Sequence, residues 1–385
     1  MLRCLMACLS ALLLASCGQS PTFAPVQFHA DGMPATLSEW NLLRVADGRL
    51  QLNEGVLPYD LNTPLFTDYA HKLRTVWMPA GTSAHYTPDT ALDFPIGTII
   101  SKTFYYPRGE NGAVLRNEDK AEGIRDNGLS MTAVRLIETR LLIHRQNGWV
   151  ALPYVWNEAQ TEARLMRGGD IVPLQLVSED GSARNFEYQI PDQNQCAGCH
   201  GVDTKSRAVL PIGPKARHLN RTVTYADGSA DQLTHWAAAG YLDGLPDAAS
   251  RPRDAVWNHD DAPLQARARA YLDINCGHCH NPKGAANTSG MWLDAATVDP
   301  LRLGRCKLPI AAGRGTGGLA HGIVPGNADA SILAYRMGSE DPSVMMPELG
   351  RSTAHEEGVA LIRDWIDAMQ DVSCDNNPQT KNNDT

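Results

Sequence analysis

Pro263-Leu264-Gln265-Ala266-Arg267-Ala268-Arg269-Ala270-Tyr271-Leu272, followed shortly by Cys276-Gly277-His278-Cys279-His280, decides the reading of the chain's C-terminal part. The first stretch has apolar residues at helical spacing. The second places two thiols about one helical turn apart with an imidazole directly after them. The same pattern occurs upstream as Cys196-Ala197-Gly198-Cys199-His200. C-x-x-C-H is the haem-attachment pattern: the two thiols add to the two vinyl groups, and the adjacent His projects from the same face as the proximal iron ligand. Two such copies imply two covalently bound haem c groups, with Cys196, Cys199, Cys276 and Cys279 as attachment points and His200 and His280 as iron ligands. A thioredoxin-like dithiol would want a βαβ context, which the sequence lacks. A four-Cys zinc ribbon would not need a His after each pair.

Working outward, the remaining cysteines point to an exported chain. Arg3 followed by Leu5 to Leu14 reads as a positive n-region and a short apolar h-region. It ends in Leu14-Ala15-Ser16-Cys17, which resembles the bacterial lipobox, making Cys17 the lipidation site and the membrane anchor. The alternative is a plain cleaved signal. With Cys4 and Cys8 removed with the signal, Cys306 and Cys374 are left over. An even remainder in an oxidising compartment predicts a disulfide between them.

Composition narrows the function. The chain has 385 residues and a net charge of -9, a poor match to nucleic-acid binding, which needs a basic surface. The length allows two or three domains. Residues 1–17 read as signal peptide, 18–35 as a tether and 36–175 as a β-rich domain. The first haem module is placed at 176–254, the second at 255–377 and a disordered tail at 378–385. The fold class expected is therefore α+β multidomain, an N-terminal antiparallel β domain followed by mainly α haem modules. The β signal is clearest in Thr98 to Tyr106, and in Leu136 to His144, which meets a turn at Asn147-Gly148 before Trp149 to Leu152. Trp149, Tyr154 and Trp156 read either as core aromatics or as a partner or glycan surface. Glu356 to Met369 is an amphipathic helix.

The order helix, C-x-x-C-H, Val344-Met345-Met346-Pro347 loop, helix resembles the class I cytochrome c domain. That resemblance implies a Met before Pro as the distal sulfur ligand, hence Met346, with Met345 as runner-up. The alternative is that both are core residues, Met's usual use. The first haem has no matching Met. His218, His235 and His259 follow its motif, and either one of them is the sixth ligand, or a residue of the β domain reaches over, or the site is open.

Pro58 to Ala70 (Pro-Tyr-Asp-Leu-Asn-Thr-Pro-Leu-Phe-Thr-Asp-Tyr-Ala), Trp156 to Thr161, Gly313 to Gly318 and Ile323 to Gly326 resemble a family of bacterial exported di-c-haem proteins, over nearly the whole mature chain. The resemblance implies haem binding and no more specific activity. The family has no fixed His at positions 218 or 235. Two functions follow. One is electron transfer in the cell envelope with an extracytoplasmic redox partner protein. The other is a di-haem peroxidase or oxygenase with an open first haem; the Arg-Asn-x-Pro segment usual in di-haem peroxidases is missing here. The reading favours the non-enzymatic carrier.

Overall fold

A computed structural model describes residues 23–117, 128–201, 205–206, 208–225, 228–310, 312–370 and 373–374. The export segment, Cys17 and the tail 378–385 fall outside them.

The central element is a six-stranded antiparallel meander: β1 (Leu57–Tyr59), β2 (His71–Trp77), β3 (Ile99–Pro107), β4 (Val134–Arg145), β5 (Gly148–Trp156) and β6 (Ala163–Leu165), adjacent in space in chain order. The β4–β5 hairpin closes where Asn147-Gly148 predicts it, pairing Arg145 with Gly148. Gly148 has φ +107°, a backbone region that disfavours any Cβ.

Both faces of this sheet are covered. On one, Leu73, Ile99, Leu141, Ile143 and Leu152 pack under the N-terminal segment's Leu37, Trp40, Leu42 and Leu50. Tyr154 and Trp156 belong to this core. Trp40 Nε1 donates to Tyr154 Oη (2.8 Å), and Trp156 Nε1 donates to Thr139 Oγ1 (3.0 Å). Trp149 stacks on His144 at 4.4 Å. The three aromatics are therefore packing residues.

The opposite face carries the rest of the chain. Strands β7 (Asp170–Val177) and β8 (Ala183–Ile190) pair antiparallel and cover one end of it through Leu174, Phe186 and Tyr188 against Phe104 and Tyr106. The boundary expected at residue 175 falls inside β7, and the sheet region runs on to Ile190. Helices α1 (Gln193–His200), α2 (Ala216–Leu219) and α3 (Gln232–Ala238) follow. Ala216, Leu219, Leu233 and Trp236 pack against Val76, Ile100 and Leu142 of the sheet, so the 176–254 region shares a core with the β domain.

The C-terminal part has its own core. Helices α4 (Leu264–Leu272), α5 (Ile332–Gly338) and α6 (Glu356–Asp367) bury Tyr271, Leu272, Leu333, Leu361, Ile362, Trp365 and Ile366 around Leu293 and Ile323. Both helices read from the sequence are present, α4 starting at Leu264 and α6 ending at Asp367. Cys306 and Cys374 are joined by a disulfide, with Cα atoms 5.0 Å apart. Asp68 fastens this part to the sheet. Its carboxylate accepts from the Ser352 and Thr353 amides, both at 2.7 Å, and from Thr353 Oγ1. The architecture is α+β. Among the described residues no helix is long and apolar enough to cross a membrane.

Candidate functional site

Both C-x-x-C-H motifs reach one cavity between the sheet and the C-terminal helices, although Cys279 and His280 are not in its lining. Its wall includes Cys196, Cys199 and His200 from the first motif and Cys276 and His278 from the second. Local sequence explains each placement. The first motif forms most of α1. Asp192 caps it by accepting from the Asn194 and Gln195 amides, while Gln195 Oε1 accepts from the Asp192 amide. That capping box fixes where the helix starts, and α1 then packs on β5. The second motif continues α4 through a wider turn, Asp273–Gly277. Gly277 is required there, because a Cβ would come within 2.9 Å of the Asp294 backbone.

His200 Nδ1 donates to the Leu210 carbonyl (2.9 Å), and His280 Nδ1 to the Met291 carbonyl (3.2 Å). A carbonyl only accepts, so each ring holds its proton on Nδ1 and keeps the Nε2 lone pair free. Burial lowers the pKa of both rings, that of His200 to about 4, so both are neutral at pH 7. A neutral imidazole oriented through its other nitrogen is the form that ligates a metal.

The motifs also touch. Ligand atoms of Cys199, His278 and Cys279 all lie within 4.8 Å of one another, and Cys279 Sγ reaches the Gly198 carbonyl at 3.8 Å. Hydrogen bonding from Cys279 draws the Cys199 thiol down, and the same contact pushes Cys279 up. His278 Nδ1 is buried with no partner among the described residues.

Met346 lines the cavity; Met345 is buried outside the lining. The loop is held by Arg351, whose Nη2 donates to the carbonyls of Met346 and Ser339, both at 2.9 Å, and of Met337 (3.2 Å). Met337 of α5 also lines the cavity, a second thioether that sequence reasoning did not single out.

The three candidate sixth ligands of the first motif are placed differently. His218 is on the cavity wall, but its Nε2 pairs with Asp273 Oδ2 at 2.9 Å, beside Asp254 at 3.4 Å. Burial raises the Asp273 carboxyl, but the hydrogen bond from His218 and the charge of Lys215 outweigh it and leave it well below the usual carboxylate range. His235 stacks on Tyr225 at 3.9 Å and is not in the lining. His259 is exposed.

His355, which the sequence did not single out, is on the wall. It stacks on Phe66 at 4.3 Å, and Tyr271 Oη lies 2.9 Å from its Nδ1. Burial, then Lys72 and Arg116, pushes its pKa down to about 3. The sheet contributes Arg74, Lys102 and Arg140 to the same wall. Burial, then the two guanidiniums, pushes Lys102 down to about 7. No family model, curated protein or solved structure matches the chain.

Proposed function

We propose that the protein is a di-haem c-type cytochrome that carries electrons in the bacterial cell envelope. The observation that carries this reading is the pair of motif histidines, His200 and His280. Each is neutral and oriented through Nδ1, with Nε2 free and two thiols directly ahead of it in the chain. Haem, when bound, supplies the one-electron iron couple. The chain's own residues then do the rest. Cys196, Cys199, Cys276 and Cys279 hold the groups as thioethers, which carry no titrating proton. The contact between the two motifs keeps the two redox centres adjacent, as a relay within one chain needs. In this reading 255–377 is a cytochrome c-like module, built on α4, the Met346 loop and α6, and 176–254 holds the first haem against the sheet.

Met346, which lines the cavity, would supply the distal thioether to the second haem. His with a thioether favours ferrous iron and raises the potential. Met346→Ala therefore lowers one midpoint potential and removes the weak red absorption band of Met-ligated ferric haem. Met345→Ala leaves both in place. The opposite result, or no effect from either variant, overturns the assignment.

The location is proposed from the export signal and from the Cys306–Cys374 bond, which persists in an oxidising compartment. Cys17 carries the lipid anchor, and the partner is an extracytoplasmic redox protein. Cys17→Ser moves the protein from the membrane fraction to the soluble one; wild-type protein that is already soluble contradicts the anchor.

One observation favours a second reading, a peroxidase- or oxygenase-like enzyme with an open first haem: of the three candidate histidines only His218 is on the cavity wall, and its Nε2 is held by Asp273. Carbon monoxide added to the reduced protein separates the two. An unchanged spectrum fits the carrier, and a shift of half the haem fits the enzyme.

A further inference from the structure

The chain as a whole is acidic, at -9, but the wall of its shared cavity is not. The side chains lining it include five cations, Arg74, Lys102, Arg140, Lys215 and Arg351, against one carboxylate, Asp273. Three of the cations form a single row. Register places Arg74 directly opposite Lys102, and Lys102 directly opposite Arg140, on one face of β2, β3 and β4. Like charges directly opposite on a sheet repel, and a desolvated cation is costly without a counter-charge.

The two outer members have their counter-charges. Arg140 makes a two-pronged pair with Glu138, Nε to Oε2 at 2.7 Å and Nη2 to Oε1 at 2.5 Å. Arg74 lies 3.8 Å from Asp60. Lys215 pairs with Asp273 at 3.2 Å. Lys102, in the middle, has no ion-pair partner among the described residues: the Phe104 ring lies 5.2 Å from Nζ, and the carboxylate that acts on it, Glu138, is already paired with Arg140. An ammonium facing a cavity, with a guanidinium on each side and no carboxylate of its own, is arranged to receive an anion.

We propose that Lys102, flanked by Arg74 and Arg140, is the receptor for a carboxylate-class anion bound in the cavity shared by the two motifs. The carboxylate has two possible sources. One is a propionate of a bound haem, and that source rests on the di-haem reading above. The other is a free small carboxylate or oxyanion, which does not.

The test uses the purified full chain with its haem content measured first, and the variants Lys102→Met and Lys102→Arg. Formate is titrated by calorimetry, which needs no haem, and both midpoint potentials are measured without added anion. For a propionate source, wild type shows no saturable formate binding. Lys102→Met then lowers one midpoint potential, since a nearby cation favours the added electron, and Lys102→Arg restores it. For a free anion, wild type binds formate saturably. Lys102→Met weakens that binding by about 10- to 100-fold, the loss of one charge-assisted hydrogen bond, and Lys102→Arg recovers most of it. Two haems retained with neither a formate signal nor a potential change overturns the inference and leaves the di-haem reading standing. A chain without haem sinks that reading, and wild-type formate binding alone then decides this one. Should Lys102→Met fail to fold, Lys102→Gln takes its place in both arms.

Discussion

On the proposed di-haem reading, Cys196→Ala combined with Cys199→Ala leaves one covalent haem per chain, held at the second motif. The two motifs sit on separately supported elements. The first is on α1, fixed by the Asp192 capping box and packed on β5. The second follows α4, whose Tyr271 and Leu272 are buried in the C-terminal core. Removing one attachment point therefore does not dismantle the other. On the di-haem reading the remaining haem still changes, because ligand atoms of Cys199, His278 and Cys279 lie within 4.8 Å of one another and both motifs contribute to one wall. Its midpoint potential moves once the neighbouring charge is gone. The reciprocal pair, Cys276→Ala with Cys279→Ala, leaves the haem at the first motif and removes the Met346 signature. Intact mass and haem absorbance of the denatured protein count the groups. Loss of both haems from either double variant contradicts this independence.

Cys374→Ser lowers the stability of the C-terminal part by roughly 4 kcal/mol. The bond spans a sequence separation of 68 residues, and closing a loop of that length in the unfolded chain accounts for about that much in the chain-entropy model. Both sulfurs are in buried residues, and Cys306 is fixed by its amide donating to the Ile323 carbonyl (2.8 Å). The bridge returns the chain beyond α6 to the loop layer, and α6 brings Val359 to the cavity wall. Unfolding in denaturant with and without reductant measures the effect. A wild-type protein whose midpoint does not respond to reductant contradicts it.

Much of this was legible in the sequence, for reasons that differ by element. Asn147-Gly148 announces a hairpin because few other residue pairs accept the turn. Helices α4 and α6 show because each has one apolar face. Strand β7 runs past the boundary set at residue 175, and β8 lies wholly beyond it, although Phe186, Tyr188 and Ile190 alternate with Glu187 and Gln189 and are its buried residues. Strand β3 is buried on both faces, so its sequence gave no alternation to say which face meets what.

The site divides in the same way. The C-x-x-C-H motifs are local and could be read directly. The resemblance picks Met346 over Met345 by its place before Pro347, and in the structure it is Met346, not Met345, that lines the cavity. The pairing of His218 with Asp273 could not be read locally, because the two are distant in sequence. The row Arg74, Lys102 and Arg140 comes from three strands and exists only through their register. His355 likewise reaches the cavity only because α6 packs beside Tyr271.

The most direct test of the central claim is a haem count on the full chain, expressed for export in a bacterium that matures c-type cytochromes. The protein is denatured, freed of unbound haem and assayed as the pyridine haemochrome. Two covalent haems per chain are expected. A haem-free protein, or one carrying zinc at Cys199, His278 and Cys279, would contradict it.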